Sequence, residues 1–303
     1  MDLNNTSIRV KALIISGMGI NCEQEMAKAY QLAGAIPTIV HINRFFFDNT
    51  LETVLSNYDI INFPGGFSYG DDLGSGQALA NCIRYQRRGN NREKEPLLAE
   101  IIQYLKLGKF ILGICNGFQV LVKLGLLPQL TPNTPAPEVT LTYNLKGKFE
   151  DRWCKIGINH NSTSPLLSKF LTQKKTSLYL PIRHGEGRLL MANDEIRKKI
   201  QSLHLDCLFY QESDKDKKEN NARANYYPSN PNGSELAIAG LCDTSGQVLG
   251  MMPHPEAFLC EWNHPNARGT ISTSSTNRTV DGLQFFKNIV LEITQRKLTN
   301  NSN

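Results

Sequence analysis

Residues 110–123 confine the fold more tightly than any other stretch of the chain. Phe110 to Ile114 (FILGI) is a continuous apolar run, FQVLVKLGLL has the character of a helix, and Gly113-Ile114-Cys115-Asn116-Gly117 joins the two with no room for a loop. A strand that passes straight into a helix belongs to a parallel α/β arrangement, in which helices cover the sheet. Small residues two before and two after Cys115 permit the sharp turn that lifts its side chain out of the strand. The first helical turn aims free N–H groups and its positive dipole end at that sulfur. A thiolate is favoured there over an ordinary thiol with a pKa of about 8.5.

The rest of the first half repeats the alternation. VKALIIS (10–16) reads as a buried strand, NCEQEMAKAYQLAGA (21–35) as a helix with a capping box at Asn21 and Gln24 and a stop at Gly34, and PTIVHI (37–42) as the next strand. YDIINF (58–63) runs as a strand into Pro64-Gly65-Gly66, and helical stretches near 73–85 and 96–107 lead back to FILGI. Beyond about residue 130 come shorter strand-like runs, VTLTYNL, WCKIGIN, SLYLPI, LAIAGLC and VLGMM, which either extend the sheet or pair antiparallel beside it. Residues 281–297 close the chain with a helix whose Leu283, Phe286, Ile289 or Val290, and Ile293 share one stripe. Three polar stretches, 86–95, 213–225 and 267–279, read as solvated surface insertions. With no internal repeat, the 303 residues are expected to form a single domain with its core at about 10–292.

Composition removes several function classes. Thirty-three basic against 28 acidic residues leave a formal charge of +5, too mild to call for nucleic acid. The basic run from Arg84 to Lys94 has Tyr85 as its one aromatic and reads as a solvated face. No apolar run approaches the roughly 18–20 residues of a membrane span, and the start lacks a signal-peptide stretch, so the chain is expected to be cytoplasmic. Seven cysteines without a C-x-x-C pair argue against a disulfide framework and a zinc cluster, and no metal is expected.

A thiolate nucleophile needs a proton carrier, usually a histidine oriented by a carboxylate. Two units offer one: His184-Gly185-Glu186 and His254-Pro255-Glu256. Pro253 and Pro255 bracket His254 and push the segment into a rigid extended form that projects His254 and Glu256 from one face. His184 precedes Gly185 and Gly187 and reads as part of a mobile loop. The former pair is the better proton carrier; the latter stays open. Gly65 and Gly66 lie where a strand should end, at the carboxyl edge that open parallel sheets use for ligands. A backbone N–H there, with that of Asn116, could form an oxyanion hole, although a plain tight turn also needs glycine. Gly17-x-Gly19 follows a strand as a dinucleotide fingerprint would, but Cys22 stands at the third glycine position.

Five ordered segments, GGFSYGDD (65–72), GICNGFQVL (113–121), PIRHGEG (181–187), NPNGS (230–234) and GMMPHPEAF (250–258), resemble the class I, or triad, glutamine amidotransferases. Within them they are most similar to the glutaminase subunits of phosphoribosylformylglycinamidine synthase. The resemblance implies a flavodoxin-like open, mostly parallel sheet flanked by helices, with added strands and loop insertions. It makes Cys115 the nucleophile, His254 the general base and acid, Glu256 its orienting partner, and Gly66 and Asn116 the oxyanion donors. Gly65, Phe67, Gln119, His184 and Glu186 would belong to the substrate side or to an interface. It implies no cofactor on this chain, with ATP and Mg on a large synthetase subunit, joined in some organisms by a small third subunit. The chain departs from the common short form at Gly74, where an arginine is frequent, and in the stretches 86–95 and 213–225. Another amidotransferase's glutaminase, a cysteine hydrolase and a non-catalytic regulatory relative are the competing readings.

Overall fold

A computed structural model describes residues 9–48, 50–87, 94–131, 136–212, 222–267 and 279–301. Most of the three stretches read as insertions falls outside the described residues. The first half alternates as the hydrophobic pattern requires: β1 (Lys11–Ser16), α1 (Glu23–Leu32), β2 (Ile36–His41), α2 (Ile42–Phe47), β3 (Ile60–Phe63), α3 (Gln77–Tyr85), α4 (Leu97–Lys106), β4 (Phe110–Ile114) and α5 (Asn116–Lys123). The second half contributes β5 (Val139–Thr142), β6 (Glu150–Ile158), α6 (Ser168–Thr172), β7 (Ser177–His184), β8 (Arg188–Met191), α7 (Asp194–Ser202), β9 (Leu208–Tyr210), β10 (Ile238–Cys242), β11 (Val248–Met251) and α8 (Asp281–Asn301).

One nine-stranded sheet runs in the order β2-β1-β3-β4-β11-β10-β9-β6-β7. Every pairing from β2 to β11 is parallel, whereas β10, β9, β6 and β7 follow antiparallel. The short second-half strands divide between the two possibilities: β11 extends the parallel sheet beside β4, β10, β9, β6 and β7 continue it antiparallel, and β5 pairs outside it. β5 and β8 form a separate antiparallel pair. Every residue of β3, β4, β10 and β11 is buried, which is why their sequences are apolar without alternation apart from Asn62, whose buried amide is hydrogen-bonded to Tyr30 and Leu13 O. No described helix is long and apolar enough to cross a membrane.

Parallel strands place their carboxyl ends on one edge, so the segments after β1, β3, β4 and β11 open together. β7 points the same way, since it lies an even number of antiparallel steps from β11. Its end joins that edge physically: His254 N–H, just past β11, donates to Pro181 O at 2.8 Å. Two local expectations change. α1 has Cys22 at its N-cap and no side-chain cap, because the Asn21 and Cys22 amides both donate to Gly65 O at 3.2 Å instead of awaiting a capping box. Ile42 starts α2 and does not end β2.

The strand-to-helix elbow rests on two glycines. A Cβ at Gly117 would fall 1.8 Å from Phe63 O, and one at Gly113 would fall 2.5 Å from Leu121 Cδ1, so α5 crosses β3 and β4 only without those side chains. By contrast Gly108 has positive φ with open space around it. We expect Gly117→Ala to cost on the order of 4 kcal/mol through backbone overlap, and Gly108→Ala only about 1–2 kcal/mol of left-handed strain. Denaturant unfolding of the two variants separates the effects.

Candidate active site

Cys115 ends the strand and starts the helix with φ 51° and ψ −105°, a conformation that non-glycine residues rarely adopt. The surroundings enforce it. Its N–H donates to Met251 O at 2.8 Å, while Gly113 and Gly117 let the two elements close tightly behind it. The sulfur lies at the carboxyl edge, with Arg183 O at 3.6 Å as its hydrogen-bond acceptor.

His254 and Glu256 are also buried, and Nδ1 of the imidazole lies 2.6 Å from Glu256 Oε1. They do not meet through an extended segment, as the bracketing prolines suggested. Pro255–Ala257 is a short 3₁₀ turn with His254 at its N-cap, and the turn swings the carboxylate back onto the ring. Proline is compatible with the first turn of a helix, where its missing N–H has no partner to lose. Burial alone would lower the pKa of His254, but the charges of Glu256 and Cys115 outweigh it and hold the imidazole well above its ordinary value. His254 Nε2 has no hydrogen-bond partner among the described residues.

The turn after β3 contributes main chain. Gly66 has φ +144°, and a Cβ there would meet Gly19 O at 2.6 Å, so the residue must be glycine. Phe67 N–H is taken by Gly19 O at 2.8 Å, while neither the Gly66 nor the Asn116 N–H has an acceptor among the described residues. Gly65 packs its Cα on the imidazole, where a Cβ would fall 2.7 Å from His254 Cε1. The Phe67 side chain is half exposed at the mouth.

Behind the elbow runs a polar network that ties three strand ends together. Asn116 Oδ1 accepts from Ser68 N–H at 3.2 Å, and its Nδ2 donates to Asp71 Oδ1 at 3.3 Å and to Gln119 Oε1 at 3.0 Å. Gln119 Nε2 donates to Glu186 O at 2.6 Å, and Ser75 N–H donates to Glu186 Oε2 at 3.3 Å. Burial, with Glu186 adding to it, raises the pKa of Asp71. Asp71 was not singled out from sequence, although it stands inside the glycine-rich segment that was.

His184 is not in a mobile loop. It is the last residue of β7 and is 2% exposed, with Nδ1 3.0 Å from Asn144 Oδ1 and its ring flat against Gly187. Burial, helped by the charge of His254, pushes its pKa down to about 3, so it stays neutral beside a protonated neighbour. The residue that sequence reasoning passed over is Cys22. Its sulfur lies within 4.8 Å of ligating atoms of both His254 and Glu256. The signal was present in the Gly17-x-Gly19-x-x-Cys22 spacing after β1, which places residue 22 on the shared edge.

A cysteine on a strained elbow, with a His–Glu pair and unspent amides beside it, is the kind of arrangement that nucleophilic acyl transfer uses. Residues 9–291 match the model of the CobB/CobQ-like glutamine amidotransferase domain, and the chain belongs to that family. It is 39% identical over 284 residues to phosphoribosylformylglycinamidine synthase subunit PurQ of Dehalococcoides mccartyi, covering 93% of this chain and 97% of the relative. The corresponding subunit of Methanococcus maripaludis strain C5 is 38% identical over 291 residues, covering 92% and 97%. Among solved structures, PurLQS from Thermotoga maritima matches with a TM-score of 0.63 and 27% identity, covering 94% of this chain and 99% of that one.

Two measurements follow from the histidines. Glu256→Gln removes the negative charge that does most to keep His254 protonated against burial. We expect the imidazole to titrate lower by NMR and kcat/KM to fall by roughly 10³–10⁴-fold, as when a triad carboxylate is neutralised. For His184 the folded pKa lies near 3 against 6.5 for the ordinary group. Unfolding therefore takes up a proton below pH 6.5, and this residue withdraws stability as pH falls from about 6.5 towards 3. His254, with its pKa raised, contributes in the opposite sense, stabilising below 6.5 and losing that contribution as pH rises through its folded value. His184→Gln should flatten the acid slope of the unfolding free energy in that window.

Proposed function

We infer that this chain is the glutaminase subunit of phosphoribosylformylglycinamidine synthase in purine biosynthesis. The observation that carries the reading is 39% identity over nearly the whole length of both this chain and a known subunit of that enzyme. Cys115 attacks the carboxamide carbon of glutamine, and the developing oxyanion is held by the Gly66 and Asn116 amides. The imidazolium of His254 gives its Nε2 proton to the departing ammonia, leaving a glutamyl thioester on Cys115. His254, oriented through Nδ1 by Glu256, then takes a proton from water, which attacks the thioester and releases glutamate. The protonation state needed at the start is the one that Glu256 and Cys115 favour.

Ammonia is consumed on the large synthetase subunit, where formylglycinamide ribonucleotide is converted with ATP to formylglycinamidine ribonucleotide. The large subunit is this chain's partner, joined in some organisms by a small third subunit. ATP and Mg belong to that partner, and this chain needs no cofactor of its own. We place the assembly in the cytoplasm.

The test is glutamate release by the purified chain, alone and with the large subunit, ATP and formylglycinamide ribonucleotide. Release should rise in the full mixture and disappear in Cys115→Ala. Turnover that persists in Cys115→Ala, or that ignores the synthetase and its substrates, would remove the reading.

A further inference from the structure

Cys22 has no part in the chemistry above, yet it shares a wall with the proton carrier. Its sulfur, a ring nitrogen of His254 and a carboxylate oxygen of Glu256 lie within 4.8 Å of one another. Main chain brings them there. The Asn21 and Cys22 amides donate to Gly65 O, and a Cβ on Gly65 would fall 3.2 Å from Cys22 Sγ and 2.7 Å from His254 Cε1. Only glycine lets sulfur and imidazole sit this close.

His254 is 4% and Glu256 2% exposed, and His254 Nε2 and Glu256 Oε2 are buried without hydrogen-bond partners. Unpaired buried polar atoms are uncommon and point to a ligand or a catalytic task. Thiolate, imidazole and carboxylate are together the donor set of a borderline-soft cation; hard cations such as Mg²⁺ and Ca²⁺ require more oxygens than this wall supplies.

We propose that Cys22, His254 and Glu256 form a reversible inhibitory site for a divalent cation of the zinc type. Zinc-to-donor bonds of about 2.0–2.3 Å set tetrahedral ligand atoms roughly 3.3–3.6 Å apart, so the donor atoms, which lie within 4.8 Å of one another with His254 Nδ1 2.6 Å from Glu256 Oε1, rearrange to take the ion. Binding displaces the Cys22 thiol proton, now shared with Asn21 Oδ1 at 3.3 Å, and the proton on the ring nitrogen that ligates. Both protons leave to solvent, and no oxidant or reductant is involved. A ligated imidazole neither accepts nor delivers a proton, and cation and turnover exclude each other. The inhibitory consequence rests on the triad reading; the binding itself does not.

Cobalt(II) is the probe. Titrated anaerobically into the full chain, it should produce a sulfur-to-cobalt charge-transfer band at one equivalent, abolished by excess zinc, in wild type and Cys115→Ala but not in Cys22→Ser. In wild-type protein zinc should shield Cys22 from iodoacetamide, read by mass spectrometry, and leave the exposed Cys260 reactive. That second measurement needs no variant to fold. Zinc should inhibit glutamate release, with chelator restoring it, and the inhibition constant should rise at least tenfold in Cys22→Ser, each protein compared with its own zinc-free rate. A band that survives Cys22→Ser or vanishes in Cys115→Ala, alkylation of Cys22 unaffected by zinc, or no band at all would overturn the site. Intact cobalt and alkylation results with no glutaminase in any mixture would instead sink the triad reading and leave the cation site standing.

Discussion

Everything at the carboxyl edge depends on how closely α5 lies on β3 and β4. Where Gly117 passes Phe63, even a methyl group would overlap the carbonyl oxygen. That approach gives the elbow its sharpness, and the elbow holds Cys115 at a positive φ that an unconstrained cysteine would leave. A residue in such a conformation costs on the order of 1–3 kcal/mol and persists only where its neighbours leave no alternative. Here the neighbours are a helix pressed on a sheet and the Met251 carbonyl that receives the Cys115 N–H. The strained residue is therefore held by a closely packed helix and sheet, as its proposed role as nucleophile requires.

The second organising feature is electrostatic. Two imidazoles stand at one edge in opposite states: His184 is kept neutral by burial, and His254 is kept protonated because Glu256 and Cys115 overcome burial. The difference lies in their partners. Asn144 offers His184 an amide oxygen, which satisfies one nitrogen without favouring a charge, while Glu256 offers His254 a carboxylate. A neutral histidine beside a charged one avoids like-charge repulsion and leaves the proton on the imidazole that is paired with Glu256. The Asn116, Asp71 and Gln119 network adds a mechanical tie, since it joins the β3 turn, the elbow and the segment after β7.

Chain order hides these relations. β7 and the segment after β11 are separated by three strands in the sheet, yet the His254 amide bonds Pro181. The first turn of the chain likewise reaches the site, because the Gly65 carbonyl gathers the Asn21 and Cys22 amides and sets the Cys22 sulfur beside the imidazole. Gly65 thus does two things that a larger residue could not do together: its carbonyl anchors the start of α1, and its bare Cα admits the ring.

Local pattern alone determined the alternating first half, the full burial of FILGI and IINF and the glycine-flanked elbow at Cys115. Each of these follows from residues within about ten positions of one another, where periodicity, β-branching and glycine spacing act directly. Tertiary structure decided the rest. The turn that joins His254 to Glu256 is 3₁₀ and not extended, because the pair is closed by a hydrogen bond at 2.6 Å that proline spacing does not encode. The missing capping box at Asn21, the burial of His184 and the place of Cys22 were likewise illegible, since each is set by a partner distant in sequence: Gly65 for α1 and Cys22, Asn144 and Gly187 for His184. Short-range sterics write themselves into a sequence; contacts between strand ends exist only once the sheet has brought those ends to one edge.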